Sequence, residues 1–166
     1  MTYPYHEKIK CVLSEKIVEK LKVCKRKYDP IEACGLIFGD VKKVDTIENN
    51  FQIHYIGKEF YCLKSNLESM GAFKLVNSEE FGDVIYDAVE VKKLRPIGIF
   101  HSHPIPAYPS SVDVANMEYL DKFQVGDVKN PLRNQIWVIM SMQDETINGF
   151  IYFNGVYRVE LLIKPS

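Results

Sequence analysis

The stretch "IGIFHSHPIPAYPSSVD", Ile97 to Asp113, sets two histidines one residue apart, then three prolines, two serines and an aspartate. Side chains two apart on a strand project from the same face. His101 and His103 would therefore present two imidazoles side by side, with Ser102 turned away. Pro104, Pro106 and Pro109 each fix a backbone angle, so this loop could hold the Asp113 carboxylate at a set distance from both rings. Two neutral imidazoles and one carboxylate, with a fourth position left for water, is a common composition for a catalytic zinc site. A metal of this kind lowers the pKa of its water towards about 7. A plainer reading exists. Ser110-x-x-Asp113 also matches a capping box, in which Asp113 turns back onto the start of its own helix. The two readings are compatible, because one carboxylate oxygen can face a metal while the other orders the helix. The spacing alone leaves both open.

Outward from this stretch, "PIGIFHSH" reads as a central strand and "SSVDVANMEYLDKF" as a helix. Upstream, "IKCVL" is a short first strand, and "SEKIVEKLKVCKRKY" places Ile17, Leu21 and Cys24 at helical spacing behind Ser14 as N-cap. Pro30 ends that helix, because proline disfavours helical geometry in the residue before it. "CGLIFGD" suits a buried strand, and "KKVDTIENNF" reads as the next one. From Phe60 to Leu94 further strand gives way to helical pieces. Gln124 to Asn134 is a polar loop, and "QIWVIMSM", "TINGFIYF" and "GVYRVELLIK" are three closing strands. Helices and strands without regular βαβ alternation point to an α+β domain, and 166 residues to one domain spanning 1–166.

Composition narrows the function classes. The chain is 46% hydrophobic and 26% charged, as expected for a globular domain. Its 21 basic and 22 acidic residues leave a net charge of −1, without the basic excess of a nucleic-acid binder. No signal peptide is evident and no uncharged apolar run is long enough to span a bilayer, so a cytoplasmic location with no membrane partner is expected. Cys11, Cys24, Cys34 and Cys62 form no CxxC pair, and reduced, mostly buried thiols are expected. His6 and His54 have no recognisable partner, and Cys34, in an apolar run beside Gly35, is expected in the core.

A second segment, "DPIEACGLIFGD", bears on the opening stretch. Read alone, its Glu32 is a single acid before a buried strand, normally a surface charge. Together with "GIFHSHP", "IPAYP" and "SSVD" it closely resembles the JAMM (MPN-plus) metalloprotease family, which has a glutamate before a Gly-Leu strand, then His-Ser-His-Pro, then Ser-x-x-Asp. "IENNF" and "WVIMS" resemble flanking strands of that family, so the similarity runs from about Ile9 to Ile163. The resemblance implies a JAMM/MPN-like (cytidine-deaminase-like) fold, a curved mixed β-sheet flanked by helices. It implies His101, His103 and Asp113 as Zn2+ ligands, Glu32 as general base and then general acid, and Ser110 as a hydrogen-bond donor to the scissile carbonyl oxygen. One departure stands out: the loop between His103 and Asp113 is one residue shorter than the usual family pattern.

The function so implied is that of a zinc-dependent isopeptidase cleaving after the C-terminal diglycine of a ubiquitin-like modifier or sulfur-carrier protein, of the prokaryotic single-domain type. An extended tail could add to an exposed sheet edge through backbone hydrogen bonds. The loop Gln124 to Asn134 is then a candidate for substrate contact or for a homodimer interface, or is an ordinary exposed connection. Two alternatives remain: a non-catalytic MPN-type scaffold or binding module, and a zinc hydrolase acting on another small peptide. Cytidine deamination is a poor fit, since its PCxxC signature is absent.

Overall fold

The computed structural model describes residues 2–64, 78–122, 124–125, 128–129 and 132–166. The helical pieces expected over 65–77 lie outside the described residues. Strands β1 (Tyr5–Ser14), β2 (Cys34–Asp45), β3 (Phe51–Leu63), β4 (Arg95–His103), β7 (Ile136–Ser141), β8 (Ile147–Tyr152) and β9 (Val156–Lys164) form one mixed sheet. Its order is β1-β3-β2-β4-β7-β8-β9, and parallel pairing of β9 with β1 closes it into a barrel. β5 (Gln124–Val125) and β6 (Val128–Lys129) make a separate small antiparallel pair. The helices are α1 (Glu15–Tyr28), α2 (Glu79–Ile85, continued by a wider π-helical turn over Tyr86–Val91) and α3 (Ser111–Lys122). This is the α+β, JAMM/MPN-like arrangement the sequence implies, with the curved sheet fully closed.

Both faces of the sheet are buried, which explains the continuous apolar runs. One core cluster draws residues from all seven strands, among them Leu13, Ile37, Phe60, Phe100, Val138, Ile151 and Val159, and is joined by Ile17, Leu21 and Cys24 of α1. The other joins Leu36, Phe38, Ile99 and Trp137 to Phe81 and Ala88 near α2 and to Met117 and Leu120 of α3. Neighbouring residues of β2 thus pack to opposite sides. The N-cap of α1 is as expected: Ser14 Oγ accepts a hydrogen bond from the Ile17 N–H at 3.1 Å. Its last turn is fastened to the β7–β8 turn, where Glu145 takes Arg26 Nη2 at 2.7 Å and Lys25 Nζ at 3.5 Å.

Three expectations need correction. "KKVDTIENNF" is the outer end of β2 plus a tight turn, with Glu48 and Asn49 both at φ 61°, rather than a new strand. The polar loop from Gln124 contains the β5–β6 pair. The cysteines are not all reduced: α1 packs on β3 so that Cys24 and Cys62 are bonded as a disulfide, with Cα atoms 5.7 Å apart, while Cys11 and Cys34 are buried and not disulfide-bonded. Cys24 and Cys62 are 38 positions apart, and only helix-on-strand docking brings them together, which local pattern cannot show. On chain-entropy grounds a loop of that length is worth about 4 kcal/mol. Burial pushes the Cys11 thiol up to about 12, which keeps it protonated and unreactive.

Two glycines make opposite predictions. A Cβ on Gly39, at the β-bulge in β2, would collide with the Ile56 carbonyl of β3, whereas one on Gly82 in α2 would meet nothing. Gly39→Ala should destabilise by about 3 kcal/mol and Gly82→Ala should stabilise by about 0.5–1 kcal/mol. Urea unfolding midpoints of the two variants give both signs.

Candidate metal centre

The site begins with the register of β2 on β4. Cys34 lies opposite His101 in that antiparallel pair. Beyond the end of β2, the Ser102 N–H donates to the Ala33 carbonyl at 2.9 Å, and the Ala33 N–H donates to Ser102 Oγ at 2.7 Å. The pairing is therefore carried one residue further by a side chain. The next residue outward, Glu32, is half-buried, and its charge acts on His101. Ser102 is completely buried. Sequence reasoning merely turned Ser102 away from the histidines and gave it no part. The available signal was a hydroxyl in the middle of an otherwise apolar buried strand, which needs a partner.

The two imidazoles are oriented by backbone. His101 Nδ1 lies 3.1 Å from the Ser102 carbonyl oxygen and His103 Nδ1 lies 2.7 Å from that of Pro104. A proton on each Nδ1 leaves each Nε2 as the free donor nitrogen, the arrangement in which histidines bind metals. The His103 carbonyl in turn accepts the Met142 N–H at 2.9 Å, which fixes the end of β4 against the end of β7. The rings meet edge to face with centroids 5.8 Å apart, and Trp137 backs His101.

Asp113 reaches them from the first turn of α3. The capping box is formed: Ser110 N–H donates to Asp113 Oδ2 at 2.7 Å, and Asp113 N–H donates to Ser110 Oγ at 3.1 Å. The remaining oxygen, Oδ1, lies 3.2 Å from His101 Nε2, and Oδ2 lies 3.9 Å from His103 Nε2. Both readings of the Ser-x-x-Asp pattern thus describe the same carboxylate. The short proline loop still delivers it, because its far end is anchored. Asn148 Nδ2 donates to the Ala107 carbonyl at 3.1 Å, and Arg158 Nη2 donates to Asn148 Oδ1 at 2.6 Å while its guanidinium stacks on Tyr108. Ser110 Oγ accepts only, so its O–H proton remains able to donate.

Two imidazoles and a carboxylate are a donor set of the kind zinc takes. His101 Nε2 is buried and has no hydrogen-bond partner, although Asp113 Oδ1 is close. Ligand atoms held about 2.0–2.1 Å from a tetrahedral zinc are roughly 3.3 Å from each other; Asp113 Oδ1 is 3.2 Å from His101 Nε2, whereas the approach to His103 Nε2, 3.9 Å, is through the capping oxygen Oδ2. Among the described residues no group of three or more His, Cys, Asp or Glu is arranged to hold a metal ion. The residue types suit zinc, while the spacing at His103 is too wide for it. His6 packs against Phe153 and Tyr157, and His54 pairs with Gln52, so both have other partners. Cys34 is core, as expected.

In metal-free protein the same groups form an ion pair whenever His101 is protonated. Burial opposes the charge on His101, but Asp113, the Ser102 carbonyl and the charge of Glu32 outweigh it, so His101 titrates above the ordinary histidine value. Burial likewise opposes the Asp113 carboxylate, but His101 and the Ser110 hydrogen bonds hold it below its usual range.

The chain belongs to the prokaryotic homologues of the JAB domain, whose family profile matches residues 14–148. Its fold is similar to the solution structure of a protein from Desulfitobacterium hafniense, with 20% identity, a TM-score of 0.58 and 94% of each chain covered. It also aligns with a JAB1/MPN domain protein from Archaeoglobus fulgidus at 15% identity and a TM-score of 0.49, covering 95% of this chain and 99% of that one. No curated protein matches the sequence. Membership of this family fits a hydrolase or an MPN scaffold. Among the described residues no helix is long and apolar enough to cross a membrane.

Two measurements check this geometry. Ser102→Ala leaves the buried Ala33 N–H without a partner and should cost about 1–3 kcal/mol in urea unfolding. The pH profile of the metal-free protein has a definite shape. Stability from the raised His101 is fully present below its unfolded pKa and lost as pH rises through the folded value. That from the depressed Asp113 is present above its unfolded pKa and lost as pH falls through the folded one. The melting temperature should therefore peak between about pH 4 and about pH 6.5, and Asp113→Asn should flatten the decline on the alkaline side.

Proposed function

We propose that this protein is a zinc-dependent peptidase that cleaves after the C-terminal diglycine of a ubiquitin-like modifier or sulfur-carrier protein. One observation carries the reading: His101 and His103 both turn Nε2 towards Asp113, and the charge of Glu32 acts on His101. A zinc ion held by His101, His103 and Asp113 would supply Lewis acidity, polarising a carbonyl and bringing the pKa of water towards about 7.

The protein's own residues do the rest. Glu32 accepts a proton from the attacking water and returns it to the leaving amine. Ser110 donates its O–H to the carbonyl oxygen as charge develops there, while its Oγ still accepts from Asp113 N–H. Asp113 can bind metal through one oxygen without releasing the helix cap on the other. Because the main sheet is closed, the exposed edge expected for an incoming extended tail has to lie outside it. The β5–β6 pair offers one.

Two variants test the reading. Glu32→Gln should retain one zinc per chain by metal analysis yet lose at least about a thousandfold in cleavage of a diglycine-linked conjugate, the scale of a lost general base. His103→Ala should lose both metal and activity. Wild-type protein that accepts no transition metal and cuts no such conjugate would instead be an MPN-type scaffold. Metal-loaded protein that cuts only other peptides would be a zinc hydrolase of different specificity.

A further inference from the structure

The disulfide between α1 and β3 borders a solvent-open groove of about 530 Å³, and both of its cysteines line that groove. Phe60 supplies part of its apolar wall, and Lys16, Lys20 and Lys27 of α1 line it as well. These three lysines form no ion pair among the described residues. The one carboxylate lining the groove, Glu19, lies 3.8 Å from Arg26, so its charge is partly offset. Structural disulfides resist reduction, whereas exposed ones are the labile and regulatory ones. Cationic surroundings also draw in an anionic thiolate.

We propose that the Cys24–Cys62 disulfide and the groove over it form a thiol–disulfide exchange site for a small anionic thiol. The two sulfurs are not equivalent: Cys24 is 2% exposed and Cys62 only half-buried. The incoming thiolate therefore attacks Cys62 Sγ. The protein S–S bond breaks, Cys24 leaves as the thiolate, and a mixed disulfide forms on Cys62. A second external thiolate attacks the external sulfur of that mixed disulfide, releasing an external disulfide and the Cys62 thiolate. Each cysteine takes up one proton, and two external thiols are oxidised for one protein disulfide reduced. Once protonated, Cys24 has an acceptor at hand, since its Sγ lies 3.8 Å from the Cys34 carbonyl oxygen. Opening the bond removes the covalent tie between α1 and β3 and involves none of the residues assigned to metal or proton transfer.

The test uses the oxidised full chain with glutathione (anionic) and cysteamine (cationic) at matched thiolate concentration, with adducts located by mass spectrometry. The expected result is a mixed disulfide on Cys62, formed roughly tenfold faster with glutathione at low salt. That preference should disappear at high salt and in the triple variant K16Q/K20Q/K27Q, whose exposed positions leave the fold intact. Equal rates for the two thiols at low salt, adducts on Cys24 alone, or a bond that opens only after denaturation would each overturn the proposal. So would isolated protein in which Cys24 and Cys62 stay free under air. None of these readings depends on peptidase activity.

Discussion

The join between β2 and β4 at the candidate metal centre rests on one pair of hydrogen bonds, from Ser102 N–H to the Ala33 carbonyl and from Ala33 N–H to Ser102 Oγ. They prolong the β2–β4 register past the last regular strand residue, at the point where the chain arrives from α1. Without them Glu32 would sit on a free connection four residues after a helix end. With them its neighbour Ala33 is tied to β4, and the charge of Glu32 acts on His101, sixty-nine positions away. Both partners are fully or almost fully buried. Each bond therefore excludes the alternative of leaving a polar group unpaired in the core, which costs more than the bond itself returns.

The second constraint is the sharing of Asp113. Its Oδ2 caps α3 through Ser110 N–H while Oδ1 faces His101. A helix start and a candidate ligand are thus fixed by the same side chain. The proline loop does not have to position the carboxylate by its own stiffness, because the Asn148–Ala107 and Arg158–Asn148 hydrogen bonds hold its far end to β8 and β9. A loop anchored in this way can be one residue shorter and still deliver the aspartate.

Much of this was legible in the residues. The two-residue period of a strand placed His101 and His103 together, and the Ser110-x-x-Asp113 spacing announced the cap. Helical spacing after Ser14 gave α1, and apolar runs gave β2, β4 and β7. What local pattern could not reveal was anything set by docking between distant elements. The pairing of Cys24 with Cys62 follows from α1 lying on β3, and barrel closure follows from β9 running parallel to β1. The turn at Glu48 and Asn49 was missed because its residues carry no glycine or proline to mark it. Glu32 was identifiable only through its resemblance to a family pattern, since one acid before a strand is ordinarily just surface charge. Ser102 was in view throughout, but its role appears only once Ala33 is seen opposite.

The most direct measurement of the account is cobalt(II) titration of metal-free protein, followed by visible absorption. Binding of one ion per chain with the intense bands of a tetrahedral site, abolished in both His101→Ala and Asp113→Ala and kept in Glu32→Gln, is the predicted result. A spectrum of purely octahedral, weak intensity, or tetrahedral bands that survive loss of His101, would contradict it.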